Sequence, residues 1–215
     1  MAVTRTGPLR SVLPVALLSG LATRAEAHPH VWITFETTVV YDKGTFVGVK
    51  HKWTFDEFYT AMAIEGLDKN KDGIYDREEL AELAKVNIEG LKDFSFFTFP
   101  ALAGKEIKVG EARDYWLEHK DGVLSLIFTL PFASPVLEEA KGLTVSVYDP
   151  TYFIAFELAK TDPAKLSEGA PKSCAAKVGV PSQQGKGAPL EGLQGQLGAL
   201  GVSISKTIMV ECNAP

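Results

Sequence analysis

The stretch VWITFETTVVYDKGTFVGVKHKWTF, residues 31–55, is rich in β-branched and aromatic residues on both sides of the sequence Asp42-Lys43-Gly44. Residues of these types favour strands, and Asp and Gly favour tight turns. The stretch therefore predicts a β-hairpin with one strand at 31–41, a turn at 42–44 and a second strand at 45–55.

Strand-like composition returns after residue 94 in short segments separated by turn residues. We expect strands at 105–109, 112–119, 123–130, 143–148 and 152–156. Several short strands of this kind are typical of antiparallel sheets that pack as a sandwich. The predicted fold class is α+β, mainly antiparallel β-sheet and sandwich-like, with one helical insertion.

The insertion, residues 56–91, has helical spacing. Asp56 is a good N-cap for a first helix, and a second helix is expected after Asp76 and up to Gly90. The apolar residues at helical spacing are Phe58, Ala61, Met62 and Leu67 in the first helix and Leu80, Leu83, Ala84 and Ile88 in the second. The insertion is therefore predicted to be a helix, a loop and a helix.

The loop sequence DKNKDGIYDREE, residues 68–79, matches an EF-hand calcium loop at every liganding position. The predicted Ca²⁺ ligands are Asp68, Asn70, Asp72, the Ile74 carbonyl, Asp76 and Glu79, which are the hard oxygen donors that Ca²⁺ prefers. Gly73 permits the sharp turn, and Tyr75 fits a β-rich pocket better than the strand that joins paired loops. The alternative is an acidic, solvated connection. A single loop of this kind outside the cytosol predicts weak, structural calcium binding.

Residues 1–27 have the pattern of a secretory signal peptide: Arg5 and Arg10, an apolar stretch, and Ala25-Glu26-Ala27 as a cleavage site. The apolar stretch is shorter than a spanning helix needs, and we expect no transmembrane segment in the mature chain. The expected location is the periplasm, and the expected new N-terminus is His28.

The composition is that of one globular domain, with 215 residues, 46% hydrophobic residues and a net charge of −5. Lys and Arg are not clustered, so nucleic acid is not an expected partner. We expect a β-rich core domain at 28–160 and a loop-rich C-terminal segment at 161–215, with short strands at 175–180 and 205–211. Cys174 and Cys212 are predicted to form a disulfide, because an even pair in an exported chain is usually bonded.

Three histidines could supply a transition-metal site. Cleavage before His28 leaves its α-amine free to chelate together with its imidazole, and His30 or His51 could add a nitrogen ligand. Such a nitrogen site suits Cu²⁺, Ni²⁺ or Zn²⁺. The alternative is that His30 and His51 are ordinary strand residues. His119 is expected to be a solvated residue beside a turn.

Four motifs together carry a family resemblance: HPHVWI at residues 28–33, WTFDEF at 53–58, the calcium-type loop, and YDPTYFI at 148–154. The mature chain resembles an uncharacterised family of bacterial periplasmic proteins labelled as the periplasmic component of an ABC-type transport system. The resemblance implies handling of Ni²⁺, Co²⁺ or Zn²⁺ and an inner-membrane metal transporter as partner.

The sequence contains no nucleophile elbow, phosphate-binding loop, zinc-protease helix or dinucleotide fingerprint, so we expect no enzyme. Asp149 and Tyr152 could form an acid and base pair, but a turn at Asp149-Pro150 is the favoured interpretation. The predicted function is a periplasmic calcium-binding protein that acts as an accessory or metal-binding component of a transition-metal transport system. The alternative is an interaction module whose calcium is purely structural.

Overall fold

The computed structural model describes residues 29–137, 141–179 and 206–212. In this part of the chain, two sheets of β-strands account for most of the regular structure. The strands are β1 (Val31–Asp42), β2 (Thr45–Phe55), β3 (Thr98–Leu102), β4 (Lys105–Glu106), β5 (Arg113–Lys120), β6 (Val123–Leu137), β7 (Leu143–Val147), β8 (Ile154–Leu158), β9 (Ala164–Leu166), β10 (Cys174–Gly179) and β11 (Lys206–Cys212). The helices are α1 (Glu57–Ala63) and α2 (Ala81–Lys92), followed by a 3-10 turn at Ser95–Phe97.

The predicted hairpin is confirmed as β1 and β2, which pair antiparallel from Ile33 opposite Phe55 to Asp42 opposite Thr45. Lys43 and Gly44 at the turn both have positive φ, at 45° and 87°. Two-residue turns of this hand match the twist of the flanking strands, and glycine adopts this conformation without strain. The local sequence thus sets the hairpin.

The two sheets have different strand directions. Sheet A has the order β5-β6-β2-β1-β8, and β9 also pairs with β1. Sheet B has the order β10-β11-β7-β3-β4 and is antiparallel throughout. The sheets are expected to be mainly antiparallel, and sheet A departs from this pairing at one edge, where β8 and β9 run parallel to β1. Parallel pairing needs a crossover, and here the crossover runs through sheet B.

One hydrophobic core lies between the sheets. Phe35, Trp53 and Phe128 enter it from sheet A, and Val145 and Ile208 enter it from sheet B. Along β1 and β7, buried side chains alternate with exposed or half-buried ones, which is the period-2 pattern of a sheet with one buried face. The core therefore includes residues from the C-terminal segment as well as from the hairpin.

The predicted α+β class with an EF-hand helix–loop–helix is wrong, because the described residues form eleven strands in two sheets and only two α-helices. The first helix has only seven residues, buries only Thr60 and ends at Ala63, well before the loop begins at Asp68. Gly66, with φ at 77°, lies outside the helical region of backbone conformation. The described chain therefore adds two short helices to a two-sheet β-structure.

The C-terminal segment contributes strands to both sheets. The disulfide between Cys174 and Cys212 is confirmed, and the two cysteines are directly opposite in the β10–β11 ladder. β11 lies inside sheet B, between β10 and β7. The predicted strands at 175–180 and 205–211 correspond to β10 and β11, although residues 180 and 205 lie outside the described residues.

Other expectations have mixed outcomes. β3 and β9 were not predicted, and the predicted strand at 105–109 contains only the two residues of β4. Pro100 in β3 and the Pro- and Lys-containing sequence around β9 weaken the strand signal.

The signal peptide at 1–27 and His28 lie outside the described residues. In the part described, no helix is long and apolar enough to cross a membrane.

Candidate functional site

The acidic loop, residues 68–79, is attached to the fold at both ends by buried aliphatic side chains. Before the loop, Ile64 is buried, and its carbonyl accepts a hydrogen bond from the Leu67 N–H at 3.0 Å. After the loop, Leu80 is buried, and its N–H donates to the Asp76 carbonyl at 3.1 Å. The ends of the loop are therefore held by the core, whereas most of its residues are exposed.

Within the acidic loop, side-chain oxygens accept hydrogen bonds from backbone N–H groups a few residues ahead. Asp68 accepts from the N–H groups of Asp72 and Gly73, at 3.2 and 3.0 Å. Asn70 Oδ1 accepts from the Asp72 N–H at 2.9 Å, and Asp72 Oδ1 accepts from the Ile74 N–H at 2.7 Å. These successive turns wind the backbone around the side chains at loop positions 1, 3 and 5.

Glu79, at loop position 12, closes the acidic loop. Its Oε1 accepts from the Lys69 N–H at 2.8 Å and from the Asn70 N–H at 3.4 Å, and its Oε2 accepts from the Asp76 N–H at 3.3 Å. In return, the Glu79 N–H donates to Asp76 Oδ1 at 2.9 Å. Glu79 is buried although its carboxylate belongs to an exposed loop. One side chain thus joins the first, middle and last parts of the loop.

Two contacts dock the acidic loop on β5. The Tyr75 ring meets the His119 ring edge to face, with centroids 5.0 Å apart. The Arg77 guanidinium lies 4.7 Å from the centre of the Trp116 ring, and the Lys50 ammonium is 5.1 Å from the same ring. His119 is thus half-buried and contacts the loop rather than only solvent. The position of Tyr75 in the loop was the one sequence signal for this docking.

Among the residues that the structure describes, no group of three or more His, Cys, Asp or Glu side chains forms a preformed metal cluster. The acidic-loop oxygens bond to the loop backbone instead. The donor set nevertheless fits Ca²⁺, because it consists only of oxygens and includes the Asn70 amide and the Ile74 carbonyl. A carboxylate oxygen that accepts one N–H also keeps a second lone pair for a cation.

His51 lies in the core, away from the start of β1. Its Nδ1 is 2.8 Å from the Thr37 hydroxyl, and its Nε2 is 3.2 Å from the Thr98 hydroxyl. Thr37 belongs to sheet A and Thr98 to sheet B, so the ring bridges the two sheets. Burial lowers the pKa of His51 from 6.5 to about 3, and a hydrogen bond to the Glu36 backbone opposes the shift only in part.

The structure does not bring His30 and His51 together. His51 pairs with Thr37, which lies seven residues beyond His30 along β1, so the two histidines are about 23 Å apart at about 3.3 Å per residue. His30 is exposed, its N–H donates to the Phe153 carbonyl at 2.8 Å, and its ring lies 4.9 Å from the Phe153 ring.

Asp149 organises a turn. Its carboxylate accepts from the N–H and hydroxyl of Thr151, both at 2.8 Å, and from the Ile154 N–H at 2.9 Å. Its carbonyl accepts from the N–H of Tyr152, which has a positive φ of 60°. The favoured interpretation of this sequence as a turn is confirmed. The turn connects β7 of sheet B to β8 at the edge of sheet A.

The fold and the candidate site define a class: a two-sheet β-protein with an acidic loop docked on an edge strand. The chain belongs to the DUF1007 family, described as proteins of unknown function, which matches residues 13–212. The predicted membership in an uncharacterised family is thereby confirmed.

Two relatives are likewise uncharacterised. An uncharacterised protein of Haemophilus influenzae is 25% identical over 191 residues, which are 86% of this chain and 91% of that protein. An uncharacterised 15.5 kDa protein in the trpE 3′ region of Spirochaeta aurantia is 29% identical over 113 residues, which are 52% of this chain and 80% of that protein. No solved structure matches the chain.

Proposed function

We propose that the protein is an exported, non-enzymatic calcium-binding protein whose acidic loop holds one Ca²⁺ that stabilises the fold. The observation that carries this proposal is the position of Glu79. Its carboxylate accepts hydrogen bonds from the backbone N–H groups of residues 69, 70 and 76 and is therefore directed into the loop that carries the other proposed ligands. A bidentate glutamate at this position is what a twelve-residue calcium loop uses to complete the coordination of the ion.

The proposed ligands are side-chain oxygens of Asp68, Asn70, Asp72 and Asp76, the Ile74 carbonyl and both oxygens of Glu79. The proposal concerns the loop and not a helix pair, because α1 ends before the loop begins. The site is a single exposed loop, which favours the weak class of extracellular calcium sites, with Kd of about 10⁻⁴ to 10⁻³ M. At that affinity the proposed role is structural.

Calcium titration of the thermal unfolding temperature tests the proposal. A concentration about 100 times Kd is expected to stabilise the folded protein by about 2.7 kcal/mol. Glu79→Gln and Asp68→Ala are expected to remove this calcium response. The matched control is Glu82→Gln, which makes the same chemical change in the first turn of α2. A calcium response of wild-type size in Glu79→Gln would refute the loop assignment.

A second candidate function is transition-metal handling at the mature N-terminus, as an accessory component of a periplasmic metal transport system. The observation that favours it is the exposure of His30 at the start of β1, where a hydrogen bond to Phe153 fixes the backbone. The proposed ligands are the His28 α-amine and imidazole together with His30. His51 has no part in this site, because both of its ring nitrogens bond to threonines inside the core.

Elemental analysis and native mass spectrometry of the processed chain, without an N-terminal tag, test the second candidate. Bound Ni²⁺, Cu²⁺ or Zn²⁺ should be lost in His30→Ala and after addition of a residue before His28. His119→Ala serves as control and should keep the metal. Calcium binding without any transition-metal binding would leave the structural interaction module as the better description of the protein.

A further inference from the structure

The first helix, α1, presents its apolar residues to solvent. Phe58 and Met62, one helical turn apart, are 78% and 60% exposed, and Ala61 beside them is exposed as well. An amphipathic helix on a β-structure ordinarily turns such residues toward the core. Here the one fully buried residue of the helix is instead the polar Thr60. Stability of the fold does not explain this apolar face.

The orientation of α1 is fixed by three polar or aromatic anchors. The Asp56 carboxylate accepts from the N–H groups of Trp32 and Tyr59, at 2.9 and 2.8 Å. The Tyr59 ring stacks on Phe55 with centroids 4.5 Å apart. The Thr60 hydroxyl accepts from the Leu124 N–H at 3.0 Å. Rotation of the helix to bury Phe58 would break all of these contacts, so the apolar face is held outward.

A groove continues this apolar face onto sheet A. Trp32, which is 49% exposed, and Phe58 line it together with Phe55, Val123, Thr34 and Thr54. Exposed aromatic and Met side chains that lie next to each other are typical of binding surfaces, and such anchors dominate the energy of interfaces. We call this surface, from Trp32 across Phe58 to Met62, the α1 face.

The charges at the α1 face select the partner. The acidic residues Asp56 and Glu57 line the groove, and no Lys or Arg does. In the described part of the chain, neither carboxylate is in an ion pair. The whole chain also carries a net charge of −5. A cationic partner is attracted to such a surface, whereas an anionic bilayer is repelled. If a second copy of the chain bound through the same face, its carboxylates would lie against those of the first copy and repel them.

We infer that the α1 face binds a segment of a partner protein in which aromatic or aliphatic side chains are bracketed by Lys or Arg. The apolar side chains pack between Trp32 and Phe58 and against Met62. The flanking cations pair with Glu57. This binding surface lies outside the acidic loop, on the helix that precedes it.

Selection from a random peptide library on the full mature protein tests the inference. The enriched peptides should combine apolar residues with flanking Lys or Arg. A selected peptide should bind Phe58→Ser/Met62→Ser about tenfold more weakly or worse, because the variant loses two central anchors. Val86→Ser is the control, since Val86 on α2 is 62% exposed and lies elsewhere. Its affinity for the peptide should equal that of the wild type.

Charge reversal provides an independent variant that keeps the apolar residues. Glu57→Lys should weaken binding of the selected peptide at least a few-fold, and this loss of affinity should become smaller as the salt concentration is raised. Glu82→Lys makes the same change in the first turn of α2 and should have no effect. Enrichment of acidic or uncharged peptides, no enrichment at all, or equal binding by the double variant would overturn the inference. So would dimerisation, or binding to phosphatidylcholine vesicles, that is lost in Phe58→Ser/Met62→Ser.

Discussion

His51 and Glu79 are both buried polar residues that the sequence nominates as metal ligands, but their surroundings differ. His51 lies among core aromatic rings, and its two nitrogens bond to threonines of opposite sheets. Glu79 closes an exposed loop and shares that loop with the other proposed oxygen ligands. A donor atom is available to a metal only where its neighbours can also serve as ligands. The comparison therefore assigns His51 to the core and leaves Glu79 at the candidate site.

The largest expected effect comes from removal of the His51 side chain. His51→Ala leaves a cavity between the sheets and takes a hydrogen-bond partner from the Thr37 and Thr98 hydroxyls. We expect a loss of about 3 kcal/mol in the free energy of unfolding, measured by urea denaturation. His119→Ala is the control and should cost about 1 kcal/mol or less, because the side chain is only half-buried and its ring contact is with Tyr75. Equal losses would show that burial does not distinguish the two histidines.

Acid should destabilise the protein through His51. The unfolded chain binds a proton at this residue near pH 6.5, whereas burial lowers the pKa in the folded protein to about 3. The stability that neutral His51 contributes is therefore complete above pH 6.5 and is lost progressively as pH falls toward 3. Between pH 6.5 and 5 we expect a loss of about 1.6 kcal/mol.

Urea denaturation at several pH values measures this loss. The His51→Gln variant lacks the titrating ring and should show a much flatter dependence on pH over the same interval. A variant that keeps the wild-type slope would assign the acid sensitivity to other groups.

A smaller effect is expected where the acidic loop docks on β5. Tyr75→Ala removes the edge-to-face contact with His119 and should cost about 1 kcal/mol. Its neighbour Ile74 is 66% exposed, and Ile74→Ala should change stability by less than about 0.5 kcal/mol. Thermal unfolding without calcium measures both. Similar costs for the two variants would indicate that the loop is not docked through Tyr75.

The smallest expected effect is at the Arg77 contact with Trp116. Arg77→Met keeps an unbranched side chain but removes the cation, and should cost about 0.5 kcal/mol. Native tryptophan emission, measured in a Trp32→Phe background to reduce the signal of the other tryptophans, should change in Arg77→Met and not in Lys69→Met, which makes an equivalent change at another loop position. An identical emission spectrum in both variants would argue against the Arg77 contact.

Much of the candidate site could be predicted because its pattern is local. The pattern lies within one loop, at Asp68, Asn70, Asp72 and Glu79. The hydrogen bonds inside the acidic loop also join residues near each other in sequence. The docking of this loop on β5 could not be predicted in the same way. Tyr75 and His119 belong to separate elements, and nothing in the spacing of residues along the loop specifies its partner strand.

The helical periodicity of α1 shows where local patterns fail. Phe58 and Met62 have the spacing of a core-facing helix. Contacts of Asp56, Tyr59 and Thr60 nevertheless hold the helix with Phe58 and Met62 toward solvent. Each of these anchors contacts a residue of a strand, and two of the contacts reach β1 and β6, which are distant in sequence from α1. Spacing within a helix indicates which residues share a face, but the surrounding structure determines which face is buried.

The amino-acid sequence alone specified the hairpin turn at Lys43-Gly44, the N-cap at Asp56, the spacing of oxygen-bearing side chains in the acidic loop and the pairing of the two cysteines. The first three features depend on the preferences of a few neighbouring residues. The disulfide could be predicted because the chain has only two cysteines. The parallel pairing of β8 with β1, the burial of His51 and the exposure of Phe58 arose only from the packing of the folded chain. Long-range contacts control these three features, because whether a side chain is buried depends on elements distant in sequence.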